Sequence, residues 1–398
     1  MSAARIISID ARPILDSRGE WTIEVELKLR DGRAILASVP QGKSTGSYEA
    51  QCVPPDEAVR NIQKIIAPKL RGNDATHQEE IDNLLIRLDG TPTKKRLGAN
   101  ALLGVSIACA RGGALVKGIP LWRHIRRVSG LRIKEVRGME RPRLFINVIN
   151  GGLHAGNNLN IQEYMVIPKA QTIYEAVAIG VALYRALGER LKNSKGEASR
   201  NVGDEGGYAP QFKDDLEPLS ILKTTAHDLR ISHKVDFGID AAASNIRKKP
   251  AMLMALYRRM RKTFRLAYVE DPFGEDAFRE FAALKRELGA SMLITGDDLT
   301  VTNTMRMEKA REENAVNAVI VKPNQIGTVS EALAAVRFAR ESGWAVVVSH
   351  RSGETNDDFI ADFAYGVHAD GLKLGAPSRG ERIAKYNRLL EISATAGE

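Results

Sequence analysis

Three carboxylates end three successive apolar runs of this 398-residue chain: Asp240 after DFGID, Glu270 after LAYVE and Asp297 after MLITGD. The series continues with Lys322 after AVIVK, His350 after WAVVVSH and Lys373 after GLK, at intervals of 23 to 30 residues. Ionisable groups ending buried runs on neighbouring strands converge on one point. Converging acids repel one another unless a cation joins them, and hard oxygen ligands without Cys or paired His select Mg²⁺. Lys322 stands on the next strand and becomes a base if its amine is kept from its usual pKa, which a metal nearby predicts. Glu205 lies in GDEGGYAP, whose glycines admit close approach to a ligand. A lysine base facing a glutamic acid across bound metal fits proton abstraction next to a carboxylate, then loss of a leaving group or another enolate-forming step. Arg351, Ser352 and His350 supply donors for a phosphate, and Lys373 supplies a cation for a carboxylate. The predicted substrate is a small phosphorylated acid.

The elements that must position these groups follow from the same spacing. A strand, a helix and two loops per interval is the repeat of a (β/α)8 barrel, whose chemistry sits at the C-terminal strand ends. From residue 143 to 398 we expect such a barrel. An open doubly wound sheet is disfavoured because no glycine-rich phosphate fingerprint follows an early strand. GKS at 42–44 lacks the glycine that a P-loop needs, since position 37 is Ala37. Residues 5–40 alternate apolar and polar around the DG turn at 31–32 and predict a three-stranded antiparallel meander. PPDEAVRNIQKIIAPKL and the small-residue run GANALLGVSIACARGGALV predict helices. Residues 1–135 therefore read as an α+β capping domain, with 129–142 as linker.

Composition sets the outer limits. The chain is 43% apolar and 27% charged, which excludes disordered and collagen-like classes. Its formal net charge of +9 invites an anionic partner. The excess clusters in 123–143 and 241–269 without a zinc-finger or RNP signature, and aromatics are 6% of the chain, so nucleic acid is not expected. Two cysteines, Cys52 and Cys109, support neither a disulfide framework nor a cysteine metal site. Arg5, Asp10 and Arg12 interrupt any signal-peptide core, and Asn100, Ser106 and Arg111 break the apolar stretch near Leu102, so no membrane route and a cytoplasmic location are expected.

Over nearly its whole length the sequence resembles the enolase family. The shared strings are LDSRG (15–19), STG (44–46), LGANALLGVS (97–106), INGGLHAGNN (149–158), QEYM (162–165), GDEGGYAP (203–210), EDPF (270–273), GDDLTVTN (296–303), KPNQIGT (322–328), SHRSGET (349–355) and AKYN (384–387). The resemblance implies that Asp240, Glu270 and Asp297 bind a first Mg²⁺, Lys322 is the base, and Glu205 with Glu163 forms the acid side. It also implies that Arg351 and Ser352 hold phosphate, Lys373 holds carboxylate, and Gln162, His154 and His350 close round the substrate. Ser44 in a mobile loop would complete a second Mg²⁺ site. A homo-oligomer, dimer or higher, goes with the family.

The departures concern the rim. Where the family carries SGASTG this chain has QGKSTG, placing Gln41 and Lys43 beside the site. The segment after residue 50 is shortened to QCVPPDEAV, Asn245 replaces a usual glutamate, and Gly380 interrupts SRSER. An intact core with an altered, more basic rim predicts kept enolate chemistry with a changed reaction partner. The expected activity is that of a diverged paralogue such as carboxyphosphonoenolpyruvate synthase, with Lys43 and Gln41 meeting a CMP-linked phosphonoformate as second substrate. The alternative is ordinary dehydration of 2-phosphoglycerate to phosphoenolpyruvate, and a non-catalytic binding protein is the third reading.

Overall fold

The alternation between Ile6 and Ser38 becomes three antiparallel strands in the computed structural model, which describes residues 3–43, 46–131 and 141–397. They are β1 (Ile6–Leu15), β2 (Trp21–Leu29) and β3 (Ala34–Ser38), in the order β1-β2-β3. Ile23, Val25, Leu27 and Leu29 of β2 alternate inward and are buried. The helix Ala99–Val116 lies on them. Its small residues are what permit the contact, because a Cβ added at Gly104 would stand 2.6 Å from the Val25 side chain. This helix is long and apolar enough to cross a membrane by length and composition, but 83% of it is buried within the fold, the position of a core helix. The helix expected over PPDEAVRNIQKIIAPKL forms from Pro55 to Leu70 and carries one π-helical stretch, Ile62–Ile66. The expected linker at 129–142 falls largely outside the described residues, which omit 132–140.

Eight strands close into a barrel. They are β4 (Arg143–Asn150), β5 (Glu163–Pro168), β6 (Val235–Asp240), β7 (Leu266–Glu270), β8 (Leu293–Gly296), β9 (Ala318–Val321), β10 (Ala345–Ser349) and β11 (Gly371–Lys373). The order round the ring is β10-β11-β4-β5-β6-β7-β8-β9. The regular repeat holds from β6 onward, where each strand is parallel to its neighbour. It fails at β5, which pairs antiparallel with both β4 and β6. Residues 151–162 carry only a short 3-10 turn, Gly152–His154, so no helix crosses over and the chain folds straight back. The two helices Ile173–Lys195 and Glu217–Asp228 then follow together before β6.

The basic stretch 241–269 includes the outer barrel helix Pro250–Phe264. Arg258 pairs there with Glu287 at 2.6 Å and Lys248 with Asp215 at 2.9 Å, so part of its charge is used within the fold. The capping domain is fastened to the barrel by Arg111, whose Nη2 donates to Asp357 Oδ1 at 2.9 Å and to Asp358 Oδ1 at 2.8 Å.

Candidate active site at the barrel mouth

Asp240 and Glu270 are register partners at the ends of β6 and β7, and Asp297 directly follows β8. Glu163 pairs with Asp240 across β5 and β6. It is the first residue of its strand, yet because β5 runs backwards it reaches the same rim as the last residues of the others. Lys373, at the end of β11, gathers this side: its Nζ is 2.7 Å from Glu270 Oε2, 3.2 Å from Glu163 Oε2 and 3.5 Å from Asp240 Oδ2. Lys322 follows β9 and pairs directly with Asp297, whose other oxygen accepts from Gln325 Nε2 at 2.8 Å. Gln162, just before β5, has its Nε2 3.5 Å from Asp240 Oδ2.

Burial and mutual repulsion govern the charges. Burial first, then Asp240, pushes Glu270 up to about 8, and burial raises Asp240 as well despite Lys373. Burial also works against Asp297, but Lys322 overcomes it and holds that carboxyl below its usual range. The expected lowering of Lys322 does not occur in the protein alone. Burial opposes its ammonium form, yet Asp297 and Glu270 more than compensate, and the amine is held above its usual value.

The opposite wall is an acid pair. Burial and then Glu205 push Glu163 well above the carboxylate range. Burial works the same way on Glu205, but His154, His350 and Arg382 outweigh it and hold Glu205 low. Asn147 Nδ2 donates to Glu205 Oε2 at 2.8 Å, with His154 Nδ1 3.4 Å and His350 Nε2 3.6 Å from Oε1. Burial and Glu205 thus favour the protonated form of Glu163, while the two histidines and Arg382 favour the charged form of Glu205.

Arg351 is buried and bound by Glu49 in a two-pronged ion pair at 2.9 and 3.2 Å. Ser352 Oγ accepts from the backbone N–H of Lys43 at 2.7 Å. Gly42 leaves room for the guanidinium: a Cβ there would lie 1.8 Å from an Arg351 nitrogen and would force that side chain to shift. Eleven of the expected residues line one cavity of about 30 Å³: His154, Gln162, Glu163, Glu205, Asp240, Asp297, Lys322, His350, Arg351, Ser352 and Lys373. Glu270 is fully buried beneath it.

The rim residues are not brought in. Lys43 leaves its side chain 46% exposed and pairs with Asp204 at 2.9 Å. Gln41 is held by backbone bonds to Gly353 at 2.9 and 3.0 Å and faces a different cavity, of about 420 Å³, beside Cys52. The two residues thus lie apart from the eleven that line the cavity, Lys43 engaged by Asp204 and Gln41 by the backbone of Gly353. Ser44 lies outside the described residues.

The sequence did not single out Glu49, Asn147, Arg382, Asp271 or Asp298. Asp271 accepts the backbone N–H groups of Asp297 and Asp298 at 2.9 and 2.7 Å and so sets the turn that presents Asp297. Both were visible as second acids in EDPF and GDDL, whereas nothing local to Glu49 signals that it faces Arg351.

The donor set fits a hard divalent cation. Among the described residues Glu270 Oε1 is buried without a hydrogen-bond partner, and burial and the Asp297 charge raise both Asp240 and Glu270, which a cation would reverse. Ligand oxygens of Asp271, Asp297 and Asp298 also lie within 4.8 Å of one another.

Comparison with known proteins agrees with this architecture. Residues 6–125 match the sequence profile of the enolase N-terminal domain, and residues 139–251 and 247–398 match that of the enolase C-terminal TIM barrel domain. The chain is 44% identical to the enolase of Methanopyrus kandleri, over 98% of this chain and 95% of that protein. It is 41% identical to enolase 2 of Hevea brasiliensis (99% and 96%) and 41% identical to the enolase of Eimeria tenella (97% and 95%). With both domains matched and full-length relatives at this identity, the chain belongs to the enolase family.

Proposed function

We propose that this protein dehydrates 2-phosphoglycerate to phosphoenolpyruvate, using Mg²⁺. The observation that carries the reading is the opposition of base and acid. Lys322 follows β9 and Glu163 opens β5, four strands apart either way round an eight-stranded ring, with Asp240, Glu270 and Asp297 on the strands between. Lys322 takes the C2 proton from one face. Its ion pair with Asp297 keeps it protonated, so base function requires that pair to open. The Glu163–Glu205 pair, holding one proton, delivers it to the departing C3 hydroxyl from the other face. Arg351 and Ser352 take the phosphate, with Glu49 giving way, and Lys373 takes the carboxylate. Gln162, His154 and His350 close the acid side. Mg²⁺ held by Asp240, Glu270 and Asp297 would supply electrostatic stabilisation of the charge that develops on the substrate carboxylate. The family likeness further supports a second Mg²⁺ completed at Ser44, a homo-oligomer and a cytoplasmic location.

Relatives named enolase at 40–44% identity over nearly the full length support dehydration over phosphonoformyl transfer. Lys43, the residue that motivated a CMP-linked donor, already has Asp204 as its partner, which weakens that reading. The test is a pair of assays with Mg²⁺: phosphoenolpyruvate release from 2-phosphoglycerate alone, and phosphorus NMR after adding CMP-phosphonoformate. Rapid release with no donor-dependent product is expected. A donor-dependent phosphonate product with no release would reverse the choice.

A further inference from the structure

Arg382 has a completely buried side chain within the C-terminal helix Gly380–Ala396, against the loop that follows β10. A buried guanidinium must spend its donors, and here both terminal nitrogens do, while Nε lies 3.4 Å from Glu381 Oε1. Nη1 lies 2.6 Å from His350 Nδ1 and donates at 2.6 Å to the Arg351 carbonyl. Nη2 donates to the carbonyls of Ser352 at 2.7 Å and Asp204 at 3.1 Å.

The contact with His350 fixes chemistry as well as position. Arginine offers donors only and is not deprotonated in proteins, so the imidazole nitrogen it meets must accept. Nδ1 therefore carries no proton, and a neutral ring must carry its proton on Nε2. That nitrogen is buried, has no hydrogen-bond partner among the described residues, and stands 3.6 Å from Glu205 Oε1, beyond hydrogen-bond range. His350 itself lines the catalytic cavity. We propose that Arg382 is a positioning residue that locks His350 as the neutral Nε2–H tautomer, so that His350 presents a fixed hydrogen-bond donor to a substrate oxygen and never serves as a base.

The charged groups round the ring bear this out in sum. Arg382, Lys373 and Lys385 oppose an imidazolium and Glu205 favours one, while burial opposes it most, and His350 is held well below its usual value. A donor built this way needs no ionisation to work and contributes no limb to the pH profile. The tautomer is a property of the protein alone, and only the substrate contact rests on the dehydratase reading above.

The test is two-bond ¹H–¹⁵N correlation of the histidine side chains in the full-length protein. The chain has seven histidines, and loss of one pattern in His350→Gln assigns the signal. The expected pattern is protonated Nε2 and bare Nδ1, unchanged from about pH 6 to 9, a range that brackets an ordinary imidazole. An Nδ1–H tautomer, or titration within that range, overturns the proposal whether or not 2-phosphoglycerate is turned over. Addition of Mg²⁺ and phosphoenolpyruvate should shift the Nε2 proton, and an unmoved signal despite demonstrated binding refutes the substrate contact. Arg382→Lys should keep the tautomer. Arg382→Met should let His350 titrate and lower kcat roughly 10- to 100-fold, with a new fall in rate on the acid side. Should that variant not fold, the wild-type tautomer decides alone.

Discussion

Lys373 and Glu270 are 103 positions apart in sequence, yet their Nζ and Oε2 stand 2.7 Å apart at the floor of the barrel mouth. Both side chains are buried, and the same ammonium also serves Glu163 and Asp240. Removing one partner of a buried charge pair leaves the rest uncompensated, typically about 3–5 kcal/mol. Lys373→Met should therefore lower thermal stability sharply in chelator, and Mg²⁺ should restore part of the loss. An unchanged melting temperature in chelator would mean that the acids do not depend on Lys373.

Lys322→Ala should abolish exchange of the C2 proton of 2-phosphoglycerate with deuterated water while leaving the fold intact. The wild type should exchange it. Equal exchange by the two proteins, followed by proton NMR, would place the base elsewhere.

Asp297 accepts from both Lys322 and Gln325. Asp297→Asn keeps much of the shape and removes the charge, so Mg²⁺-dependent thermal stabilisation and dehydration should vanish together. Retained stabilisation by Mg²⁺ would show that the ion is held by other acids.

Lys43→Ala breaks a half-exposed ion pair with Asp204, the kind worth about 0.2–1 kcal/mol. Phosphoenolpyruvate formation should change by less than about fivefold, the rate equivalent of that energy. A loss of a hundredfold or more would return Lys43 to the substrate.

His124 gives the fold a pH dependence remote from the site. It is fully buried, both ring nitrogens lack hydrogen-bond partners among the described residues, and burial, with Lys117 and Arg127, lowers it to about 4. An ordinary histidine in the unfolded chain takes its proton near 6.5. Between those values the unfolded state binds more protons, so stability falls as pH drops from about 6.5 towards 4, by about 3 kcal/mol in all. Denaturant unfolding at several pH values should show a shallower fall for His124→Leu than for the wild type, and parallel curves would contradict the assignment.

Strand-end ionisable residues were legible because each breaks an apolar run with a charge, and that periodicity carries both the barrel and most of its mouth. Glu163 could not be found that way: it opens its strand, and only family likeness pointed to it. The reversal of β5 was hidden because a fully buried run such as EYMVIP reads the same in either direction. Glu49 and Arg382 were invisible for another reason. Their partners, Arg351 and His350, lie far off in sequence, and pairing across such distances leaves no local pattern. The pairing of Lys43 with Asp204, 161 positions away, likewise left no local pattern.

The backward β5 also shapes how the molecule assembles. It gives the ring one hairpin, β4 with β5, that forms between neighbours in the chain, whereas the seam of β11 with β4 joins segments that enter at opposite ends of the barrel sequence. Local contacts close early and distant ones late. The strand that seals the seam is the one that delivers Lys373, so the acids of β5, β6 and β7 receive their common counter-charge only when the ring shuts. Catalytic competence is thereby a readout of topological completion: a barrel open at that seam keeps its carboxylates but not the cation that lets them share a floor.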